Sequence, residues 1–169
     1  LIVTNVLVLV MAVVDDWMLV DMVFLFWIQS VIIGVSYFFR IINLEKFSTA
    51  NFQINNRDVE PTHQTKIQIA FFFLLHYGIF HAVYMGFIFG GRLGETPEIS
   101  LAVLLCAIAF AINHAYSYRY HRQLDQQGTP NIGTLMFTPY IRIGPMHAIM
   151  FLGAALSTGG LSVLIFGVM

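Results

Sequence analysis

The feature that most constrains this chain is the run FFFLLHYGIFHAVYMGFIFGG, residues 71–91, which is apolar over the length that a membrane span requires. A helix needs roughly 20 such residues to cross a hydrocarbon core about 30 Å thick. Similar runs recur along the chain, and only 10% of its residues are charged, compared with about a quarter in a soluble domain. The sequence therefore predicts an all-α, polytopic transmembrane helix bundle.

Five to six such spans are expected in one integral membrane domain that covers residues 1–169. Gly159 and Gly160 leave two interpretations open, a tight turn between two spans or a bend within one. Because the chain starts without methionine and stops inside an apolar run, we expect both of its ends to be truncated. The predicted spans are residues 1–14, 18–39, 67–89, 100–118 and 145–158, followed by a run that begins at Leu161.

The basic residues predict an orientation, because the cytoplasmic loops of membrane proteins collect Lys and Arg. If the spans alternate in direction, Arg92 alone lies on one side of the membrane and the other Lys and Arg residues lie opposite. The loops at residues 40–66 and 119–144 are therefore expected in the cytoplasm, with a prokaryotic inner membrane as the location.

The expected partners are the lipid bilayer and, in addition, other membrane subunits. A net charge of −1 gives no basic field for nucleic acid.

Several polar side chains fall where the bilayer would surround them, and such groups cost free energy unless they are paired. Counting about 1.5 Å per residue places His76 near the midplane, at a depth similar to that of Gln29 on the preceding span. We therefore expect Gln29 and His76 to share a polar seam. His81 is expected to meet a second partner or the outer half of the bundle.

His114 and His147 are expected near the inner ends of their helices, at similar depth. Tyr118 and His121 follow His114 at i+4 and i+7, so the three residues share one helix face that points toward the cytoplasmic mouth. Catalysis by a Cys-His pair is not expected, because Cys106 lies toward the outer end of the helix that carries His114.

Three stretches carry a resemblance to a known family: WIQSVIIG at residues 27–34, HYGIFHAVYMGF at residues 76–87 and PYIRIGPMHAIMFLG at residues 139–153. In the same order, they resemble an uncharacterised domain-of-unknown-function family of bacterial and archaeal polytopic membrane proteins, for which no activity is established. In that family's pattern a glutamate stands two residues after the tryptophan, where this chain has glutamine. The resemblance implies one site that contains Trp27, Gln29, His76, Tyr77, Gly78, Arg142 and His147.

Two main interpretations of the histidines remain open. In the first, a histidine-lined site near the cytoplasmic half binds a transition metal, such as zinc, copper or iron, or another small ligand. In the second, the histidines serve helix packing alone, and the chain is a non-enzymatic accessory or scaffold subunit of a larger membrane complex. The proposed metal ligands are His76, His114 and His147, with Gln29, Tyr77, Asn113 and Arg142 as seam or ligand-binding residues and His81 and His121 as secondary candidates.

Two further interpretations also stay open. Haem needs two opposed histidines at equal depth, and His114 with His147 is the pair that meets this condition. Alternatively, Gln29, His76 and Tyr77 relay protons or a small solute through the bundle. The sequence contains no HExxH pair or comparable i, i+4 arrangement, so it does not decide whether the chain is an enzyme.

Overall fold

The computed structural model of the chain describes residues 8, 10–54, 56–91, 93, 95–144, 147–148 and 152. Three long helices dominate this part, namely α1 (Leu19–Ile42), α2 (His63–Phe89) and α3 (Leu101–Gln127). Each of them is long and apolar enough to cross a membrane. The prediction of an all-helical chain is therefore confirmed, and three of its helices have the length and composition that a membrane span requires.

The number of spans stays a prediction, because several of the predicted segments lie outside the described residues. This holds for most of residues 1–9 and 145–158 and for the run that begins at Leu161. Arg92 lies outside them as well, and so does the Gly159–Gly160 pair, for which a turn or a bend is predicted. The backbone of residues 143–144 and 147–148 is helical, at the position where the fifth span is predicted to begin.

Helix α1 is central, because it packs against both other long helices. Its Trp27 and Ser30 contact His81 and Tyr77 of α2, so α1 and α2 run antiparallel. Toward α3, Leu25 clusters with Cys106 near one end, and Arg40 pairs with Asp125 near the other, so these two helices run parallel. Gly34 lets α1 and α2 approach closely, because an added Cβ at this position would lie 2.4 Å from Cε1 of Tyr77.

Helix α3 ends at Gln127 rather than near residue 118, where the predicted span ended. The tail from Arg119 onward is polar but rich in residues that favour helix, so the polarity marks the exit from the membrane and not the end of the helix. At about 1.5 Å per residue the helix is roughly 40 Å long, which exceeds a hydrocarbon core of about 30 Å. Arg119 and Arg122 therefore lie on a helix instead of in a loop.

The helix starts are fixed by side-chain caps. Thr62 accepts a hydrogen bond from the Thr65 N–H at the start of α2, and Ser100 accepts one from the Val103 N–H at the start of α3. At the start of α1, the Asp21 carboxylate accepts from the backbone N–H groups of Met18 and Glu98. Asp21 thereby joins the beginning of α1 to the loop before α3.

The two long loops meet at the opposite end of the bundle. They contain a short antiparallel hairpin of β1 (Gln53–Ile54) and β2 (Arg57–Asp58), the helix α4 (Ile132–Phe137) and a 3-10 helix (Thr138–Arg142). A parallel bridge between Ser48 and Asn131 joins the first loop to the start of α4. The Asn131 side chain also donates to the Ala50 carbonyl and caps α4 by accepting from the Thr134 N–H. The two loops therefore form one layer at this end.

Candidate functional site

A polar cavity of about 270 Å³ lies between α1, α3 and the 3-10 helix, at the end of the bundle where the two loops meet. Among the described residues that line it, Arg40 carries the only permanent charge, and none is a carboxylate. The polar lining residues are Ser36, Tyr37 and Arg40 of α1, His114, Ser117, Tyr118 and His121 of α3, and Thr138 of the 3-10 helix.

The Arg40 guanidinium is held in place by a buried, bidentate ion pair. Nε donates to Oδ2 of Asp125 at 2.7 Å and Nη2 donates to Oδ1 at 2.9 Å, and the two side chains are only 9% and 10% exposed. The guanidinium carbon also lies 4.8 Å from the ring centroid of Tyr37. Because these two bonds use two of the five guanidinium N–H donors, the charged group at the cavity wall keeps donor capacity for a ligand.

The three α3 residues at i, i+4 and i+7, namely His114, Tyr118 and His121, all line this cavity. His114 is buried, whereas His121 is exposed near its mouth. Nδ1 of His121 donates to the Ser117 carbonyl at 2.8 Å, because a carbonyl only accepts. In its neutral form, His121 therefore carries its free lone pair on Nε2.

A second polar cluster connects α2 to the segment that follows α4. Nδ1 of His76 lies 2.8 Å from the hydroxyl of Tyr140, and the hydroxyl of Tyr84 is hydrogen-bonded to Nδ1 of His147. The ring of Phe80 lies between them and meets both imidazoles edge-on, at 5.2 Å from His76 and 6.2 Å from His147. Tyr140 pairs with His76, and His147, later in the segment, pairs with Tyr84, later in α2. This segment therefore runs parallel to α2.

Tyr140 is the member of this cluster that lies outside the three spans. Burial raises its pKa to about 12, ahead of the electrostatic effect of Tyr77. The Tyr140 hydroxyl therefore stays protonated through the neutral range and can take part in its hydrogen bond to His76 either as donor or as acceptor.

The interface between α1 and α2 uses most of the remaining polar groups. The Tyr77 hydroxyl donates to the Ser30 carbonyl at 3.1 Å and lies 2.7 Å from the Ser30 hydroxyl. Trp27 donates through Nε1 to the His81 carbonyl at 2.9 Å. Nδ1 of His81 in turn donates to the Tyr77 carbonyl, whereas its buried Nε2 has no hydrogen-bond partner among the described residues. The bonds of Tyr77 and Trp27 therefore join α1 to α2, whereas the His81 bond lies within α2.

The expected seam between Gln29 and His76 is not formed. Gln29 is buried on α1, and it lies four residues from both Leu25 and Ile33, which face α3. Its Oε1 has no hydrogen-bond partner among the described residues. His76 lies on α2 and pairs with Tyr140 instead. Equal depth along two helices does not imply that two side chains lie on facing surfaces.

The three proposed metal ligands are likewise separated. In the part of the chain that the structure describes, no group of three or more His, Cys, Asp or Glu side chains is arranged to hold a metal ion. His76 and His147 each pair with a tyrosine along α2, whereas His114 lines the cavity between α1 and α3. Asn113 is half-buried, and the side chain of Arg142 lies outside the described residues.

The helices and the cavity together indicate a membrane protein with a polar cavity at one end of its bundle. The family comparison covers the whole chain: residues 1–169 match a family of unknown function (DUF6498), and the protein belongs to that family. No curated protein and no solved structure matches the chain. The functional argument therefore depends on the geometry of the site.

Proposed function

We propose that this chain is an integral membrane protein that binds a small polar ligand in the cavity between α1, α3 and the 3-10 helix. The observation that carries this proposal is the lining of that cavity, where Arg40, His114 and His121 border one space between two apolar helices. Polar groups are expensive to bury in a bilayer unless they are paired, so they are commonly kept for function. A volume of about 270 Å³ holds several waters or one small molecule.

The orientation that we propose puts this cavity on the cytoplasmic side of a prokaryotic inner membrane, in a bundle of five to six spans. The excess of Lys and Arg in the two loops supports it. The bridge between Ser48 and Asn131 supports it too, because it requires both loops to lie at the same end. The ligand would then enter from the cytoplasm or from the inner leaflet.

A small molecule fits this cavity better than a metal ion does. The described histidines do not form a three-ligand group, and the cavity has no described carboxylate to balance a divalent cation. Its hydroxyl groups and Arg40 instead suit an acceptor-rich ligand.

A packing role is the second candidate, and it applies to the other histidines. His76 bonds Tyr140 and His147 bonds Tyr84, so both hold the segment after α4 against α2. Hydrogen bonds of this kind between membrane helices contribute about 0.6 to 2 kcal/mol each. If the cavity proves empty, this second role describes the whole chain, and an accessory or scaffold subunit becomes the better proposal.

Native mass spectrometry of the full chain, purified in mild detergent, tests the proposal. We expect a co-purified non-protein mass that is lost when Ser117→Leu fills the cavity. The matched control is Ala82→Leu, which adds a similar side chain on the exposed surface of α2 and should retain that mass. The proposal fails if the wild-type protein carries no such mass, or if both variants lose it equally.

A further inference from the structure

We infer that the ligand is an anionic amphiphile, whose acidic head occupies the polar cavity and whose hydrocarbon tail lies in an adjoining apolar groove between α1 and α3. This inference rests on the proposed function, and it names the chemical class of the ligand. The shared chemistry is a phosphate or carboxylate attached to an apolar chain.

The first supporting observation is the groove itself. It has a volume of about 270 Å³ and is lined almost entirely by apolar side chains, among them Val35 and Phe39 of α1 and Ala111 and Ala115 of α3. The two alanines are one helical turn apart, so their small side chains leave a channel along the helix surface. Such a channel suits a hydrocarbon tail, because the tail has no polar group that would need a hydrogen-bond partner from the groove.

The second observation is continuity between the groove and the cavity. Ser36 and Tyr118 line both spaces, so the polar and apolar parts join at these two side chains. A ligand that fills both must change from polar to apolar at this junction. Lipids and long-chain acids have this construction, whereas a soluble metabolite would fill only the cavity.

The third observation is the charge and position of the cavity. Arg40 is the only permanently charged group among its described lining residues. Asp125 occupies the Nε–Nη2 edge of its guanidinium, and the N–H donors that remain on the other edge match phosphate and carboxylate oxygens. Arg40 also lies near the end of α1, at the level where lipid headgroups meet a span. Val35 and Phe39 are exposed on the outside of the bundle, so the tail reaches the groove sideways from the bilayer.

The test compares three probes against the full-length protein in detergent by native mass spectrometry: dioleoyl phosphatidic acid, dioleoyl phosphatidylcholine and soluble glycerol phosphate. We expect phosphatidic acid to bind about tenfold more tightly than the other two, because it alone supplies an accessible dianionic head with a tail. Equal binding of the two lipids would overturn the anionic part of the inference. Equal binding of phosphatidic acid and glycerol phosphate would overturn the tail and point to a soluble anion.

Two variants separate the head from the tail. Ala115→Phe blocks the groove and is expected to weaken phosphatidic acid about tenfold by steric exclusion, without changing the binding of glycerol phosphate. Ala82→Phe, on the exposed surface of α2, is the matched control and should change neither. The paired variant Arg40→Gln with Asp125→Asn removes the charges together, so that no buried charge is left alone, and should abolish the preference for phosphatidic acid.

The outcomes distinguish this inference from the proposed function. If Ser117→Leu removes a co-purified mass but Ala115→Phe leaves lipid binding unchanged, the cavity binds a ligand without a tail and the inference is wrong. If neither variant changes any bound mass, both the inference and the proposed function are wrong.

Discussion

The substitution Gly34→Ala tests the contact that fixes how α1 and α2 pack. An added Cβ would lie 2.4 Å from Cε1 and 2.7 Å from Cδ1 of Tyr77, which is far shorter than a normal carbon–carbon contact. The ring cannot simply turn aside, because the Tyr77 hydroxyl is hydrogen-bonded to both the hydroxyl and the carbonyl of Ser30. The two helices must therefore separate, or these bonds must break.

The expected loss in the free energy of unfolding follows from these two alternatives. Overpacking a well-filled contact costs about 1–3 kcal/mol. If the ring moves instead, two interhelical hydrogen bonds are lost at about 0.6 kcal/mol each. Alanine recovers up to about 1 kcal/mol of helix propensity relative to glycine. We therefore expect Gly34→Ala to lower the free energy of unfolding by up to about 2 kcal/mol, since the gain in helix propensity offsets part of the packing cost.

Reversible unfolding in mixed detergent and dodecyl sulfate micelles measures this change. Gly78→Ala is the matched control, since the Cβ at that position of α2 meets no atom within 4 Å and should leave stability unchanged or slightly higher. Combining Gly34→Ala with Tyr77→Ala should give a loss smaller than the sum of the single losses, because the clash disappears with the ring. The packing argument is refuted if Gly34→Ala behaves like Gly78→Ala.

Three further predictions concern the other polar contacts. Asp125→Ala alone should destabilise the fold by about 3–5 kcal/mol in the same assay, because it leaves the Arg40 charge buried, and pairing it with Arg40→Met should recover most of that loss. Tyr84→Phe removes the bond to His147 and should speed hydrogen exchange at residues 147–148, whereas Tyr116→Phe, at an exposed ring, should not.

The third concerns pH. Since the pKa of Tyr140 is raised to about 12 from 10.0, its contribution to stability should be complete below pH 10 and lost as the pH rises to about 12. Replacing it with Phe should remove that part of the pH dependence.

The sequence predicted the three long helices well, because a bilayer requires an uninterrupted apolar run and the chain supplies one at each position. It misplaced the end of α3, since polarity and helix propensity change independently at a membrane surface. The residues from Arg119 to Gln127 leave the apolar region but continue the helix.

The sequence predicted the residues of the candidate site only where helix periodicity determines which side chains share one face. His114, Tyr118 and His121 were grouped by their spacing, and the structure places all three along one cavity. The partnership of Arg40 with Asp125 joins residues far apart in sequence, and no local pattern indicates it. Depth alone also failed to pair the polar residues of neighbouring helices, because rotation about each helix axis decides which side chains meet.

The length of α3 has a consequence at the membrane surface. Its apolar part, residues 101–118, is about 27 Å long and fits a hydrocarbon core of about 30 Å, so the polar turns from Arg119 to Gln127 project beyond that core. The ion pair between Arg40 and Asp125 ties the projecting turns of α3 to the end of α1. Arg40 and His121 line the cavity from these two helix ends, so the same ion pair braces the cavity wall from both sides.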